Sequence, residues 1–589
     1  MSEPSTFYQQ EKSKFEIQHD LLRKKSNLHS ALRLVLFLVL LFVGYFSYAN
    51  MQVFIGVLVA GVMSFVFLVS KHQNLQTKKR LTKHLIEINA VELDALNGNY
   101  QTLATGEEFI NPLHPFSNDV DLFGKGSFFQ YINRTSTRAG KKLLAKILTS
   151  NDVNNIVSKQ EVVQELSEMA EFRQHYLALA NMVKTEVDHT TIVSWIHNYR
   201  SFLPKIMRFL PVTFSIVSLV WLILVSFELI SFYILIGWFF LGLLIILPYF
   251  KRINYLYSDA GKLKRTFKQY HTLLNEIENL HINASLAVAQ QNTIKTSNKK
   301  ASVIFKDFSK ILDAFDQRNN MLFGILGNGL LLWDLRQTQK IDQWIADYHN
   351  QVEHWFDVIA YFDAQISLSN YAFNHPDHSF PVINEKNQGI HAELLGHPLL
   401  NKKNRICNDF RIDEKDFQII TGANMAGKST FLRTVSLSLI MSNSGLPVCA
   451  KSMLYSPTKL ITSMRTTDSL AEESSYFYAE IVRLRFIVDQ MKNEKYFIIL
   501  DEILKGTNSK DKAIGSKKFV EKLVKSGSTG IIATHDLSLC EIEKEYPQIH
   551  NKYFDAKIQH EELTFDYKLK DGICTNMNAS FLLKKMEII

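Results

Sequence analysis

The chain has 589 residues, 46% of them hydrophobic and 12% aromatic, enough apolar mass for about three to five domains, which excludes a disordered or fibrous protein. A formal net charge of +8 is modest for this length and spread along it, so charge alone fits membrane-surface or nucleic-acid contact without demanding either. Cys407, Cys449, Cys540 and Cys574 are widely spaced with no C-x-x-C pair, which argues against a disulfide framework or a zinc site and fits a reducing compartment.

Residues 1–33 are polar and carry Lys12, Lys14, Arg23, Lys24, Lys25 and Arg33. These cations sit immediately before a hydrophobic run, so they read as a cytoplasmic membrane flank rather than a nucleic-acid arm. Leu34 to Ala49 and Val53 to Ser70 are nearly charge-free and close to the length of a membrane span, which predicts a transmembrane hairpin over 34–70. A cleaved signal peptide fits badly, because a second span follows at once and no small-residue cleavage site is evident. A second apolar pair, Phe209 to Phe227 and Leu229 to Phe250, is flanked by Arg200, Lys205 and Arg208 before and by Lys251 and Arg252 after. It predicts a second hairpin within 203–252. With cations outside both hairpins, the positive-inside rule places residues 1–33, 71–202 and 253–589 in the cytoplasm, making four spans of an inner-membrane protein with both termini cytoplasmic.

Between the hairpins, Lys71 to Ile88 reads as a basic amphipathic helix leaving the membrane. Asp121 to Leu144 follows a linker marked by Pro112 and Pro115; its Gly124 and Gly126 predict a turn, since no strand precedes them. Asn133-Arg134-Thr135 is a glycosylation triplet only formally, being cytosolic. Residues 253–372 have few glycines and no proline, and predict long lever-like helices. His375, Asp377 and His378 beside Pro376 predict a solvated loop in preference to a metal site.

The chemistry concentrates further on. Phe417 to Thr430 reads FQIITGANMAGKST: Gly422 to Ser429 fits G-x-x-x-x-G-K-[ST] between an apolar strand-like run and a helix-like run, as a phosphate loop requires. Glycines let backbone N–H groups face phosphates, and the positive end of the following helix points at them. Gly422, Asn424, Met425, Gly427, Lys428, Ser429 and Thr430 are the candidate nucleotide-binding residues, with Lys428 on the β- and γ-phosphates and the Ser429 hydroxyl on Mg²⁺. Tyr496 to Glu502, YFIILDE, is a buried-strand run ending in two carboxylates: Asp501 for Mg²⁺ and Glu502 to polarise the attacking water. A third run, Gly530 to Ala533, puts His535 at another strand's carboxyl end, where α/β sheets build their sites. ATP and Mg²⁺ are the expected ligands, with Glu502, His535 and Lys428 the catalytic candidates.

TGANMAGKST, DSLAEESSYFYAE (Asp468 to Glu480), IILDEILKGTNSKD (Ile498 to Asp511) and ATHD (Ala533 to Asp536) together resemble the ATPase domain of MutS proteins. GHPLL (Gly396 to Leu400), VCA (Val448 to Ala450) and YKLKDGICTN (Tyr567 to Asn576) resemble its surrounding elements. The likeness is specific over about 381–580, weaker over about 118–372, and absent from 1–80 and from both hairpins. It implies an ABC-like dimer, with Ser475 reaching the partner subunit's nucleotide and Thr507 to Asp511 signalling across the dimer. The family's adenine-stacking aromatic falls near Arg405 or Ile406. Ala423, Tyr476 and the Leu504-Lys505 pair depart from the family pattern. An F-x-E mismatch-reading wedge and an assembly tail after Asn576 are expected to be missing.

The expected architecture is therefore multidomain: transmembrane α-helices over 34–70 and 203–252, a MutS-like core starting within 71–202, a helical core and lever over 253–380, and an α/β P-loop ATPase domain of ABC type over 381–589. The expected function is a membrane-anchored, dimeric MutS-like ATPase that moves its levers on ATP hydrolysis and binds DNA, with Lys141, Lys142, Lys262, Lys264, Arg265, Lys299 and Lys300 as candidate phosphate contacts. The alternative is the same engine acting on protein or lipid partners with no nucleic acid.

Overall fold

The computed structural model describes residues 3–47, 50–182, 188–295, 299–384, 388–465, 476–505, 508–559 and 562–574. Two long helices open it, α1 (Pro4–Ser47) and α2 (Met51–Leu96). Leu40 lies against Gly61, and the Gln76 side chain donates to the Ser26 hydroxyl at 2.9 Å, so the two run antiparallel. The charged stretch before Leu34 is thus neither arm nor flank alone. No glycine or proline interrupts it between Pro4 and Gly44, so helix propagates from the apolar half into the polar half.

The helical part comprises α3 (Phe128–Ile132), α4 (Arg138–Thr149), α5 (Ile156–Glu168), α6 (Ala170–Asn181), α7 (His189–Asn198), α8 (Leu210–Ser226), α9 (Phe232–Ile246), α10 (Phe250–Asn279), α11 (Ser285–Thr293), α12 (Ala301–Asp316), α13 (Met321–Leu331), α14 (Trp333–Tyr348) and α15 (Val352–Asn374). Gly124 and Gly126 lie in a turn at φ 102° and 71°. Residues 253–372 are a packed bundle more than a set of free levers. Phe267, Phe305, Phe308, Trp344, Trp355 and Phe356 form its aromatic centre, with Phe308 stacked on Trp344 at 3.9 Å between ring centroids. Such rings bury large areas and lock the helices through edge and stacked contacts.

Among the described residues, three helical segments are long and apolar enough to cross a membrane: Pro4–Phe46, Phe54–Leu96 and the run Phe232–Asn279. Helix α8, with 17 residues, and α13, with 11, are apolar but shorter. The second apolar pair is consequently uneven, a short α8 against an α9 that continues through a 3-10 turn into α10.

The C-terminal part holds two sheets. One has strand order β1-β5-β2-β3, from β1 (Val382–Ile383), β2 (Ile390–Leu395), β3 (Asn408–Ile412) and β5 (Ser452–Tyr455). The other runs β10-β9-β4-β8-β7-β6, from β4 (Phe417–Gly422), β6 (Lys459–Ser463), β7 (Tyr496–Asp501), β8 (Thr529–Ala533), β9 (Ile549–Gln559) and β10 (Glu562–Asp571). All pairs in this sheet are parallel except the β9–β10 edge. Helices α16 (Lys428–Asn443), α17 (Tyr476–Gln490) and α18 (Ser509–Lys525) supply its crossovers. Strands β4, β7 and β8 read as near-continuous apolar runs because helices cover both faces of such a sheet. One hydrophobic cluster joins Phe116, Phe128, Phe129 and Leu144 to Leu368, Ile420, Phe431 and Ile499. The segment after Pro115 therefore shares one core with the C-terminal sheets.

A buried polar network ties the opening hairpin to this body. Arg134, just before α4, donates from Nε to Glu92 of α2 at 2.6 Å; Asn374, ending α15, donates to the same carboxylate at 2.9 Å. The Tyr8 hydroxyl of α1 donates to Asn374 at 2.7 Å. Arg134 and Glu92 expose only 8% and 2% of their side chains, and Asn133 beside them is buried too. Replacing one partner leaves the other ion buried and unpaired, so Glu92→Leu is expected to cost roughly 3–5 kcal/mol of stability. Chemical denaturation of the full chain in detergent measures this, and a loss within the error of a surface control would reject the ion pair as a structural tie.

Candidate functional site

The carboxyl ends of β4, β7 and β8 lie side by side, with Ile420 opposite Ala533 and Asp501 opposite Ala533 across the ladders. That register brings the three sequence motifs into one cavity of about 520 Å³, lined by Asn424, Met425, Gly427, Lys428, Ser429, Thr430, Asp501, Glu502 and His535. Gly422 contributes its carbonyl from beneath. Its φ of 151° lies in glycine's range, and a Cβ there would stand 2.7 Å from the Phe554 carbonyl oxygen. Gly427 at φ 103° turns the chain into α16. Only glycine takes both positions without strain.

Lys428 is buried, and its ammonium donates to the carbonyls of Gly422 at 2.8 Å and Ala423 at 3.1 Å. Burial lowers its pKa, while Asp501 and Glu502 pull the other way. The Ser429 hydroxyl donates to Asp501 Oδ2 at 2.8 Å. A hydroxyl and a carboxylate so placed at the head of a helix fit a hard, oxygen-seeking cation such as Mg²⁺.

Glu502 adopts φ 50°, a left-handed conformation rare for a side-chain-bearing residue. Its N–H donates to the Ala533 carbonyl at 2.8 Å, which hangs the residue from the neighbouring strand. Its carboxylate meets His535 Nε2 at 2.9 Å and Lys505 Nζ at 3.4 Å. The His535 hydrogen bond, with Lys505 beside it, holds the Glu502 pKa down at about 2. His535 Nε2 also stands 3.2 Å from Lys428 Nζ. One ring nitrogen carries at most one proton, so the imidazole either donates to Glu502 or accepts from Lys428.

Sequence reasoning missed Tyr567. It comes from β10 at φ 52°, lines the same cavity, and would touch a Cβ on Gly427 at 3.0 Å. Its ring stacks on Phe565 with centroids 5.8 Å apart. Nothing local in YKLKDG announces a ring above the loop, because that position depends on β10 folding back along β9. Of the two residues expected near the base, Ile406 lines the cavity, together with His397 of the GHPLL run. Burial takes the His397 pKa down to about 4. Ser475 and Thr507 lie outside the described residues. Asn508, further along the same loop, caps α18 by accepting from the Asp511 N–H at 2.9 Å.

Within His375–His378, expected to be a solvated loop, Pro376 and Asp377 are exposed as expected, whereas His378 is buried and His375 half-buried at the junction of α15 and the sheets. His375 Nε2 meets the Tyr131 hydroxyl at 2.8 Å and His378 Nδ1 meets Tyr371 at 3.0 Å. With Asp377 the two histidines offer ligand atoms within 4.8 Å of one another. Their rings lie face to face, centroids 4.5 Å apart at 11°, so their in-plane lone pairs run parallel instead of converging on an ion.

Two carboxylates, a lysine and serine of a G-x-x-x-x-G-K-[ST] loop, and a histidine at three adjoining ends of a parallel sheet make up an α/β domain of P-loop type. Residues 418–585 match the family described as MutS domain V. The DNA mismatch repair protein MutS of Thermotoga maritima is 34% identical over 221 residues, covering 36% of this chain and 27% of that protein. MutS protein homolog 4 of Homo sapiens is 33% identical over 205 residues, covering 33% of this chain and 21% of its own length. MutS of Aquifex pyrophilus is 32% identical over 182 residues, 30% of this chain and 21% of that one. Residues 418–585 are thus a domain of the MutS domain V family, and the matched region spans about a quarter of the length of these curated relatives.

Burial holds the pKa of His375 near 3 and that of His378 near 4, so both are neutral when folded at pH 7. An unfolded histidine takes up a proton near pH 6.5. The unfolded chain thus binds more protons, and this contribution to stability, complete above about 6.5, is lost as pH falls toward 4. Denaturation midpoints of the full chain are expected to drop across that window, and to drop less steeply in His378→Asn. An unchanged slope in the variant would refute the assignment.

Proposed function

We propose that the chain is a membrane-anchored ATPase of MutS type, binding ATP with Mg²⁺ and hydrolysing it to close a homodimer and move the helical bundle. The observation that carries this reading is the convergence of Lys428, Ser429, Asp501, Glu502 and His535 on one cavity. Gly422, Asn424, Met425, Gly427 and Thr430 cradle the phosphates, and Tyr567 supplies the ring on which adenine stacks. Ser429 and Asp501 hold Mg²⁺, which would neutralise charge on the phosphates when bound. Glu502, ionised throughout the neutral range, orients and polarises the attacking water, and His535 fixes the carboxylate's position. Ser475 reaches the partner's nucleotide.

Removing the lysine contact to phosphate in Lys428→Ala is expected to cost roughly 1.5–3 kcal/mol of ATP affinity, about tenfold or more. Glu502→Gln is expected to bind ATP normally while hydrolysis falls by roughly 10²–10⁴-fold. Equilibrium binding and single-turnover hydrolysis on the same samples separate the two effects, and undiminished turnover in Glu502→Gln would reject the role given to that residue.

The anchoring rests on the exposed apolar surfaces of the α1–α2 hairpin and of α8 and α9, flanked by Lys205, Arg208, Lys251 and Arg252. The positive-inside rule puts the ATPase domain and both termini in the cytoplasm of the inner membrane. Through its MutS-type engine the chain would contact DNA by the phosphate backbone, selecting structure and not mismatches. A specific observation favours the alternative, an engine acting on lipid or protein: the candidate phosphate contacts are engaged within the chain. Lys141 pairs with Glu108, Lys142 with Asp188, Lys264 with Asp313 and Asp316, and Lys299 with Asp307. Lys300 donates to Asn279. DNA binding is therefore expected to be weak and to fall steeply with salt. A salt titration of the full chain in nanodiscs against perfect, mismatched and branched duplexes, with and without ATP, tests this. A salt-resistant preference for the mismatch would overturn the structure-selective reading, and no binding at low salt would establish the alternative.

A further inference from the structure

Helix α13 was expected to be part of a lever, yet its sequence, MLFGILGNGLL, carries no charge over 11 residues. At 1.5 Å per residue it is about 16 Å long, roughly half the thickness of a hydrocarbon core. One face is exposed: Met321 at 79%, Leu322 at 72%, Ile325 at 44% and Leu326 at 49%. The turn that follows, Gly327, Asn328 and Gly329, is buried, and Asn328 and Gly329 meet the second apolar pair. There a Cβ on Gly242 of α9 would stand 2.4 Å from the Gly329 carbonyl oxygen, and one on Gly329 would strike the Phe239 ring at 2.2 Å. The two backbones meet through glycine, the way helices pack when no water drives them together.

The carboxyl end of α13 is sealed rather than hydrated. Its last carbonyls have no partner within the helix, and α8 supplies one: Ser218 donates to the Leu330 carbonyl at 2.6 Å, while the Ser215 hydroxyl, which donates to Pro211 at 2.6 Å, lies 3.2 Å from the Leu331 carbonyl. Trp238 Nε1 donates in turn to the Ser218 hydroxyl at 2.8 Å. A helix end facing water needs no such arrangement, whereas one facing acyl chains must be satisfied internally. Ser215 and Ser218 fall in the first three turns of α8, which begins at Leu210. The chain enters α13 from α12 and leaves into α14 on one side. Asp316 at the end of α12 accepts from Tyr257 of α10 at 2.6 Å, and Arg318 pairs with the buried Asp334 of α14 at 3.0 Å.

We propose that α13 is a re-entrant helix, dipping into the leaflet nearest the ATPase domain and returning on the same side, with lipid acyl chains as the partner of Met321, Leu322, Ile325 and Leu326. The assignment rests on the membrane-anchored reading of α8 and α9. Two observations select lipid as the occupant: α13 packs directly on α8 and α9, whose Leu219 and Phe240 are likewise exposed, and the cations Lys205, Arg208, Lys251 and Arg252 flank those helices in sequence, where they would meet anionic headgroups. The bundle that would move with the nucleotide cycle then contacts the bilayer directly through the loop between α12 and α14.

The test places an environment-sensitive fluorescent amino acid at Met321 or Ile325 of the full chain, reconstituted in nanodiscs containing anionic lipid. Reference positions are Leu219 on α8 and the solvent-facing Lys262. Emission from Met321 and Ile325 is expected to shift to the blue and to be quenched by lipid carrying its quencher near the headgroup, more than by lipid carrying it near the chain terminus. Water-like, unquenched emission there, with Leu219 quenched, would overturn the re-entrant helix while leaving the anchor intact. Absence of quenching at Leu219 as well would remove the membrane reading on which it rests.

Discussion

An ion pair that water cannot reach sets the relation between the two ends of this molecule. Arg134 and Glu92 are each too costly to bury alone, so α2 and the segment leading into α4 must sit where the guanidinium and carboxylate meet. Asn374 and Tyr8 complete the hydrogen bonding, and Arg173 lies over the Phe373 ring at 5.0 Å. The opening hairpin, the start of the core and the last turn of α15 are thereby fixed to one another by groups that tolerate little displacement.

From that knot the connection to the nucleotide cavity is short and made of packed elements. Helix α15 is buried along most of its length and ends at His375, after which Ser379 exchanges backbone hydrogen bonds with Val448. Asp363 of α15 accepts from the N–H groups of Ser136 and Thr137 at 3.0 and 2.8 Å, seating the start of α4 on the same helix. On the other side of the cluster, Asp119 accepts from the Arg465 N–H at 2.9 Å and from the Thr462 hydroxyl at 2.5 Å at the end of β6. Hydrogen bonds of this kind tie the sheet's carboxyl edge to the core segment.

The phosphate loop, the paired carboxylates and His535 were legible in the sequence because each is local: a strand-like run, a fixed spacing and a strand end. The order of β4, β8 and β7 in the sheet was not written in those motifs and emerges only from the ladder pairing. What was not legible depended on distant partners. Tyr567 reaches the cavity only because β10 returns along β9, and the two histidines of the otherwise exposed His375–His378 segment are drawn in by Tyr131 and Tyr371, which are distant or inconspicuous in sequence. The polar half of α1 read as a flank until α2 gave it a surface to pack on. Helix α13 is apolar for only 11 residues, too few to stand out as a span, so its character emerged from Gly242, Ser215 and Ser218 on other helices.

The burial of Tyr8, 1% exposed and only a few residues from Pro4, where α1 begins, bears on how the protein is handled. An affinity tag joined directly ahead of Pro4 would be tethered against the last turn of α15. Trimming α1 and α2 to obtain a water-soluble fragment would strip Asn370, Asn374 and Arg134 of their partners and open a polar hollow beside the junction that feeds the nucleotide domain. A fragment made in that way would lack one wall of the junction between α15 and the core, and its properties would be those of a molecule with that junction open.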